Sequence, residues 1–428
     1  MVQARTAFSM CTGAGTAEMA RSLIQKYFNE QGYDMNIKTV AMWEWNERCH
    51  SIIASNLSWC EQVTGHREAP HLFSDIESLN PQSCYRGDFK SLSYSEKRDR
   101  ILGSEMHCLQ KCERCCDDLC PVPAADFGVS GLPCQDMSRA GARAMREGRT
   151  NTVYLTHAKY NRINRTPVMV IECTPDLDMG MVEDCHGPEY DFYQTMMQPQ
   201  DCGHAGVSRQ RTYVIGVHNQ RSVVLHDPWC LQDVLKTKLC DRVTWPSDYL
   251  VATPTEIQLE AEAKARARKV VYQPHSTDLT YLLSTRELMA LDQYEQEYFN
   301  RIGVPATLDE DLIVFLGDNP GYSLTWSLNG KIPCYRVNAK SGLHWSPRFQ
   351  RFLTSKEKLA TLGWPVTPEI CTSMRAPIIP TLDVKRASDL AGNGMHLSNV
   401  GTAQILALTC FGLASSTAGS CSMDLDFQ

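Results

Sequence analysis

Four side chains at the borders of apolar segments could do chemistry. In GVSGLPCQDMSRAG (residues 128–141), Cys134 follows Pro133 at the end of a small apolar run and precedes a polar loop. Free cysteine is among the most buried residue types, so in isolation it reads as a packed thiol. At the lip of a cleft beside a cation it reads as a nucleophile. The thiolate is then the reactive species, and a free thiol of pKa about 8.5 is mostly protonated at neutral pH. Glu172 closes the apolar run PVMVIEC, and Arg209 and Arg211 precede TYVIGVH. A strand-end carboxyl can act as a general acid or sit in a salt bridge, and arginines can grip a substrate or pair with surface acids.

A second constellation lies at the start of the chain. The apolar segment TAFSMC runs into TGAG (Thr12–Gly15), then into the helical TAEMARSLIQKYFNEQ, closed by Gly32. IKTVAMWE follows as a strand ending in Glu44. Strand, glycine turn, helix and a strand ending in a carboxylate form the unit that binds an adenosine-containing cofactor. Small residues let backbone N–H groups approach the ligand, and the carboxylate accepts from ribose hydroxyls. Alone this is a weak signal.

The elements that must position these residues read as α/β. Further apolar segments alternate with helical stretches, which predicts a doubly wound, mostly parallel sheet with sites at the strand C-terminal ends. The expected organisation is a catalytic and cofactor-binding domain over 1–218, a second smaller domain over 219–347, a return to the catalytic domain over 348–412 and a disordered tail over 413–428. A polar, cysteine-rich insertion is expected at 80–125. In the second domain, EIQLEAEAKARARKV is helical and basic at its end, and reads as a solvated face rather than a base reader.

The net charge of −7 (42 basic against 49 acidic residues) excludes a uniformly basic nucleic-acid coat, so a nucleic-acid partner would need a local basic cleft. No run approaches the length of a membrane span, and the first residues lack a secretory layout. The 19 cysteines are spread along the chain and read as reduced thiols of an intracellular protein, nuclear if the source has a nucleus. One cluster stands apart: Cys108, Cys112, Cys115, Cys116 and Cys120 in HCLQKCERCCDDLC. Its spacing allows zinc, because thiolates three or four apart on one helix face converge. It also fits an amphipathic helix with a cysteine stripe, the preferred reading, so no resident metal is expected.

Taken together, the segments resemble the cytosine-C5 DNA methyltransferase family, in a divergent form. CTGAGTAEMA resembles the cofactor turn, with Cys11, Thr12, Gly13 and Gly15. WEWNERCHSIIASN is similar to the second motif, placing Glu44 on the ribose and Trp45 beside the adenine. FSDIESL puts Asp75 and Ile76 at the adenine edge. GLPCQDMSRAG resembles the nucleophile motif, PVMVIECTPDL the catalytic-glutamate strand and GVSRQRTYVIG the paired-arginine motif. RFLTSKEKLATLGWP is similar to the ninth motif, and GNGMHLSNVGTAQILAL to the last, bringing Asn393 and Gly394 to the cofactor. Departures are Cys11 for an aromatic, Thr16 for a glycine, Val207 for a glutamine, Cys173 for an asparagine, and Gly394 and His396 for serine and proline.

The resemblance implies a Rossmann-like fold, S-adenosylmethionine as cofactor and methyl transfer to C5 of a cytosine rotated out of a DNA duplex. It implies Cys134 adding to ring C6, with Glu172 protonating N3. Arg211 and Arg209 would orient the base, Gln135 and Ser138 would belong to the substrate loop with Ser138 meeting the target's backbone, and an ordered water would accept the C5 proton. The loop after Cys134, with four arginines and two glycines, would close as a lid. The second domain would recognise the target, and the whole would act as a monomeric catalytic unit. Two alternatives stay open. One is the same chemistry on tRNA, although the Cys-Phe-Thr signature of those members is absent. The other is a non-catalytic nucleic-acid scaffold on this fold.

Overall fold

The computed structural model describes residues 4–115, 119–138, 143–240, 243–321, 328–335 and 343–414. Its centre is a seven-stranded sheet. Five of its strands are β1 (Thr6–Met10), β2 (Lys38–Trp43), β3 (His71–Phe73), β6 (Phe127–Gly131) and β7 (Val168–Cys173). β8 (Tyr190–Met197) and β9 (Arg211–His218) complete it, in the order β3-β2-β1-β6-β7-β9-β8. β9 runs antiparallel to both neighbours, and every other pairing is parallel. All six residues of β7 and four of the five in β1 are buried, so these strands are covered on both faces and read as continuous apolar runs.

The order reverses between β1 and β6. At such a switch point the loops leaving two adjacent strands diverge to opposite faces and open a crevice at the strand C-terminal ends. The Thr12–Gly15 turn leaves β1 there, and Leu132–Cys134 leaves β6 beside it.

Helices α1 (Thr16–Glu30) and α2 (Glu47–Thr64) follow β1 and β2. α3 (Tyr94–Leu102) lies in the insertion, and α4 (Asn151–Asn164) crosses back from the Cys134 loop to β7. A late helix, Leu397–Cys410, packs on α1, where Gln404 donates to the carbonyl of Ala17 at 3.0 Å. Leu353, Trp364, Leu390 and Leu406 accordingly share one apolar core with Ala7, Ala20 and Phe127. A second core gathers Ala261, Leu282, Tyr294, Val314, Trp345 and Phe352. It is roofed by a three-stranded antiparallel sheet of Val314–Phe315, His344–Ser346 and Arg351–Phe352.

Two sequence expectations change. The described residues of 108–120 form no helix. Leu109–Gln110 (β4) pairs antiparallel with Cys120–Pro121 (β5), and Cys112 bridges to Phe73 at the edge of β3. Spacing of three and four had suggested helix. However, Pro121 and Pro123 interrupt any helix beyond the cluster, and the free edge of β3 offers backbone partners instead. Phe411–Leu413 forms a strand against Ser222–Val224 that reaches one residue into the tail expected from 413, and residues 415–428 lie outside the described residues.

Candidate active site

Strand register brings the acid and the arginine together. Glu172 lies opposite Tyr213 across the β7–β9 pair, and Arg211, two residues back on β9, faces the same side. The Arg211 guanidinium Nε lies 3.2 Å from Oε1 of Glu172, and both side chains are largely shielded. On the other flank Glu172 pairs with Gly131 of β6. A Cβ at Gly131 would stand 2.6 Å from Cε of Met395, 3.2 Å from the carbonyl oxygen of Cys11 and 3.9 Å from Oε2 of Glu172. A side chain at Gly131 would push the end of Met395 aside and press on the Cys11 carbonyl, so glycine keeps this junction of Glu172 and the glycine turn open.

Cys134 follows in the loop, half-buried, and its carbonyl accepts from the N–H groups of Met137 (3.0 Å) and Ser138 (2.8 Å). Burial raises its thiol pKa and the charge of Glu172 adds to this, while Arg211 and Arg209 pull it down. All four groups thus act on one another. Pro133 is held through its carbonyl by the hydroxyl of buried Tyr154 at 3.0 Å, and that hydroxyl also lies 3.2 Å from Sγ of Cys173. Gln135 is exposed and Ser138 half-buried. Asp136 turns inward and accepts from the backbone and hydroxyl of Thr150 (2.8 and 2.7 Å), tying down the loop's far end. Arg139, Ala140, Gly141 and Ala142, the centre of the expected lid, lie outside the described residues.

The glycine turn is built as a cradle. Gly13 and Gly15 take φ of +61° and +76°, in the left-handed region that favours glycine. A Cβ on Gly13 would meet the carbonyl oxygen of Asn393 at 2.3 Å. The N–H of Gly13 donates to Oε2 of Glu44 (2.6 Å), and the N–H of Asn46 donates to Oε1 (2.8 Å). Each carboxylate oxygen keeps a second lone pair for a ligand hydroxyl. Burial raises the pKa of Glu44, which these two N–H donors partly offset. Cys11, also at positive φ, is held as a neutral thiol by burial and by the charges of Glu44, Asp75 and Glu77. Thr12 is buried and its hydroxyl lies 2.7 Å from that of Ser9.

The rim varies. Trp45 is 73% exposed beside Glu44. Asp75 spends one oxygen capping the turn Ile76–Leu79, accepting from Glu77 N–H at 2.9 Å, and Ile76 is buried. Gly394 reaches across to the arginines, its carbonyl accepting from Arg209 at 3.3 Å, while Met395 N–H donates to the hydroxyl of Thr16 at 3.1 Å.

Two residues join the site that sequence reasoning missed. The segment carrying Ile332 pairs with Val207, and this brings the Sγ of Cys334 to 3.6 Å from Arg211 and 3.9 Å from Arg209. Burial works against the Cys334 thiolate, but the two guanidinium groups outweigh it and lower the thiol pKa. Tyr213 is fully buried opposite Glu172, and among the described residues its hydroxyl has no hydrogen-bond partner, nor does the Nε of Arg209.

A seven-stranded sheet with one reversed strand, a glycine turn leaving β1 and a cysteine loop leaving β6 defines the class: a Rossmann-like methyltransferase fold. Within that class, residues 116–261 match the family model of the C-5 cytosine-specific DNA methylases. This confirms the motif resemblance over the stretch that holds Cys134, Glu172, Arg209 and Arg211. No curated protein matches the chain. Among solved structures it is similar to the Entamoeba histolytica methyltransferase EhMeth (12% identity, 95% of this chain and 98% of that one, TM-score 0.46). It is also similar to the S. pombe Dnmt2 methyltransferase (12%, 94% and 98%, 0.46). A third is a putative DNA modification methyltransferase from an E. coli prophage (13%, 95% and 99%, 0.47). Among the described residues no helix is long and apolar enough to cross a membrane.

Proposed function

We propose that the chain is an S-adenosylmethionine-dependent cytosine-C5 methyltransferase acting on DNA. The observation that carries this reading is the Arg211–Glu172 ion pair at 3.2 Å, set against Gly131 and the Cys11 carbonyl of the glycine turn at the switch point, with Cys134 in the loop that leaves β6 beside it. The residues present suit the cofactor. Gly13 offers a backbone surface with no side chain, Glu44 can accept from ribose hydroxyls, and the charges of Glu44, Asp75 and Glu77 favour a cationic ligand. The cofactor supplies an electrophilic methyl group on a sulfonium.

Every other role falls to the protein and the base. Ring C5 of cytosine is a poor nucleophile. The Cys134 thiolate adds to C6, the C5–C6 π electrons move toward C5, and charge builds on N3 and O2. Glu172 takes up the proton that the Cys134 thiol gives up, passes it to N3 and accepts from the exocyclic amine. Arg211 sits beside Glu172 and is held charged. Burial opposes that charge, but Cys334 and Glu172 outweigh it, so Arg211 can donate to O2. Once Glu172 bonds to N3 its charge no longer raises the Cys134 pKa, so base binding and thiolate formation favour each other. Once C5 has taken the methyl group, an ordered water accepts the C5 proton, the C6–S bond electrons return to Cys134, which leaves as thiolate, and N3 gives its proton back to Glu172. The target atom is inaccessible within a stacked duplex, so the base must be extruded into the crevice. The second apolar core, around Trp345 and Tyr294, would serve as the target-recognition lobe.

A mechanism-based trap tests this. DNA carrying 5-fluorocytosine, offered with S-adenosylmethionine, is expected to form a covalent adduct that Cys134→Ser abolishes. An adduct with tRNA alone would move the substrate to RNA. No adduct with either would leave a nucleic-acid scaffold.

A further inference from the structure

From the cysteine cluster that the proposed reaction leaves unused, we infer a structural zinc site formed by His71, Cys112, Cys115 and Cys120. The ligand atoms of these four residues all lie within 4.8 Å of one another. The Sγ of Cys115 stands 3.5 Å from Nδ1 of His71. In a zinc tetrahedron with bonds of about 2.0–2.3 Å, ligand edges run about 3.5–3.8 Å, so a small contraction of the present arrangement completes the cage. Three thiolates and one imidazole are a closed set for Zn²⁺, with no open position for water, which marks a structural site.

The supporting backbone has the form a thiolate site requires. Cys112 and Cys115 are spaced C-x2-C, and the N–H of Arg114 donates to the Sγ of Cys112 at 3.5 Å, a bond that stabilises sulfur carrying negative charge. Cys112 bridges antiparallel to Phe73 on the open edge of β3, and Glu113 N–H donates to the carbonyl of Leu72 at 2.7 Å. His71 begins β3 itself, its ring stacked on Phe73 at 5.7 Å between centroids. Cys112 and Cys120 are buried, whereas Cys108 is exposed and outside the group, and Cys116 lies outside the described residues. The set therefore differs from the one spacing suggested: Cys108 drops out and His71 enters.

Binding one Zn²⁺ converts three thiols to coordinated thiolates and releases three protons to solvent; no electron moves. The bond clamps the 108–121 hairpin to the sheet edge, four residues before Asp75.

Protein expressed with zinc and purified without chelator is expected to hold one zinc per chain by elemental analysis, released when thiols are mercurated. Cobalt(II) exchange should give the intense visible bands of a tetrahedral site and a thiolate-to-metal charge-transfer band. Cys115→Ser and His71→Ala should each lose the metal, and Cys108→Ser should keep it. His71→Cys addresses the risk that deletions misfold: it should retain cobalt with charge-transfer intensity raised about a third, from three thiolates to four. Metal-free protein with a Cys115 disulfide, a weak octahedral cobalt spectrum, or metal loss in Cys108→Ser would each overturn the site.

Discussion

The backbone of Gly13 lies directly under the carbonyl of Asn393, so close that a single added methyl would sit 2.3 Å from that oxygen. A turn from the start of the chain is therefore roofed by a helix end from its last part. Helix Val384–Asn393 stops there, and Gly394 and Met395 pass on to Arg209 and Thr16. The glycine turn and the arginine pair share this one crossing.

Gly13→Ala places that methyl against the Asn393 carbonyl at φ of +61°. Left-handed backbone alone costs a residue with a Cβ about 1–2 kcal/mol, and the contact adds to it. The variant should melt several degrees lower and bind S-adenosylmethionine at least tenfold more weakly by calorimetry. Unchanged affinity would mean the turn is not the cofactor cradle.

Thiol reactivity should separate the two cysteines near the arginines. Burial and Glu172 raise the pKa of Cys134 above its ordinary 9.0, so its thiolate fraction stays small until the pH passes that value. Cys334 is lowered below 9.0 by Arg211 and Arg209, so its thiolate appears at lower pH. Peptide mapping after iodoacetamide treatment is expected to show Cys334 alkylated ahead of Cys134 near neutrality. Cys134 should catch up only in strong base, and Glu172→Gln should move its onset downward. The reverse order would contradict this electrostatic arrangement.

Tyr213 carries a buried hydroxyl with no partner among the described residues, a feature that costs about 1–3 kcal/mol. Removing it in Tyr213→Phe should raise the melting temperature of the free protein. Trapping of 5-fluorocytosine should slow about tenfold if the hydroxyl waits for the base, in line with the loss of one oriented hydrogen bond. A lower melting temperature would show that the hydroxyl already has a partner.

Those two missed residues show where sequence reading stops. Cys134, Glu172 and Arg211 were legible because each sits at or just beyond the end of an apolar strand, where local pattern and chemistry coincide. Tyr213 looked like ordinary strand filling, although the period-two alternation from Arg211 could have flagged it. Cys334 carries no local signal, since only the bridge between Val207 and Ile332 brings its loop to the arginines. His71 was invisible for the same reason, because its cysteine partners reach it across a sheet edge. The β4–β5 pairing was misread because periodicity of three to four does not distinguish a helix face from cysteines gathered at a sheet edge.

The roof over the glycine turn also has a consequence for synthesis. While a ribosome is still making residues 80–380, β1 and α1 are already outside the tunnel, but the pocket they border has no lid and α1 lacks its partner helix. Closure of so long a loop is slow, and apolar faces stay uncovered meanwhile. A nascent chain of this protein should therefore need chaperone cover until the segment around Asn393 emerges, and gain affinity for its small-molecule ligand only then.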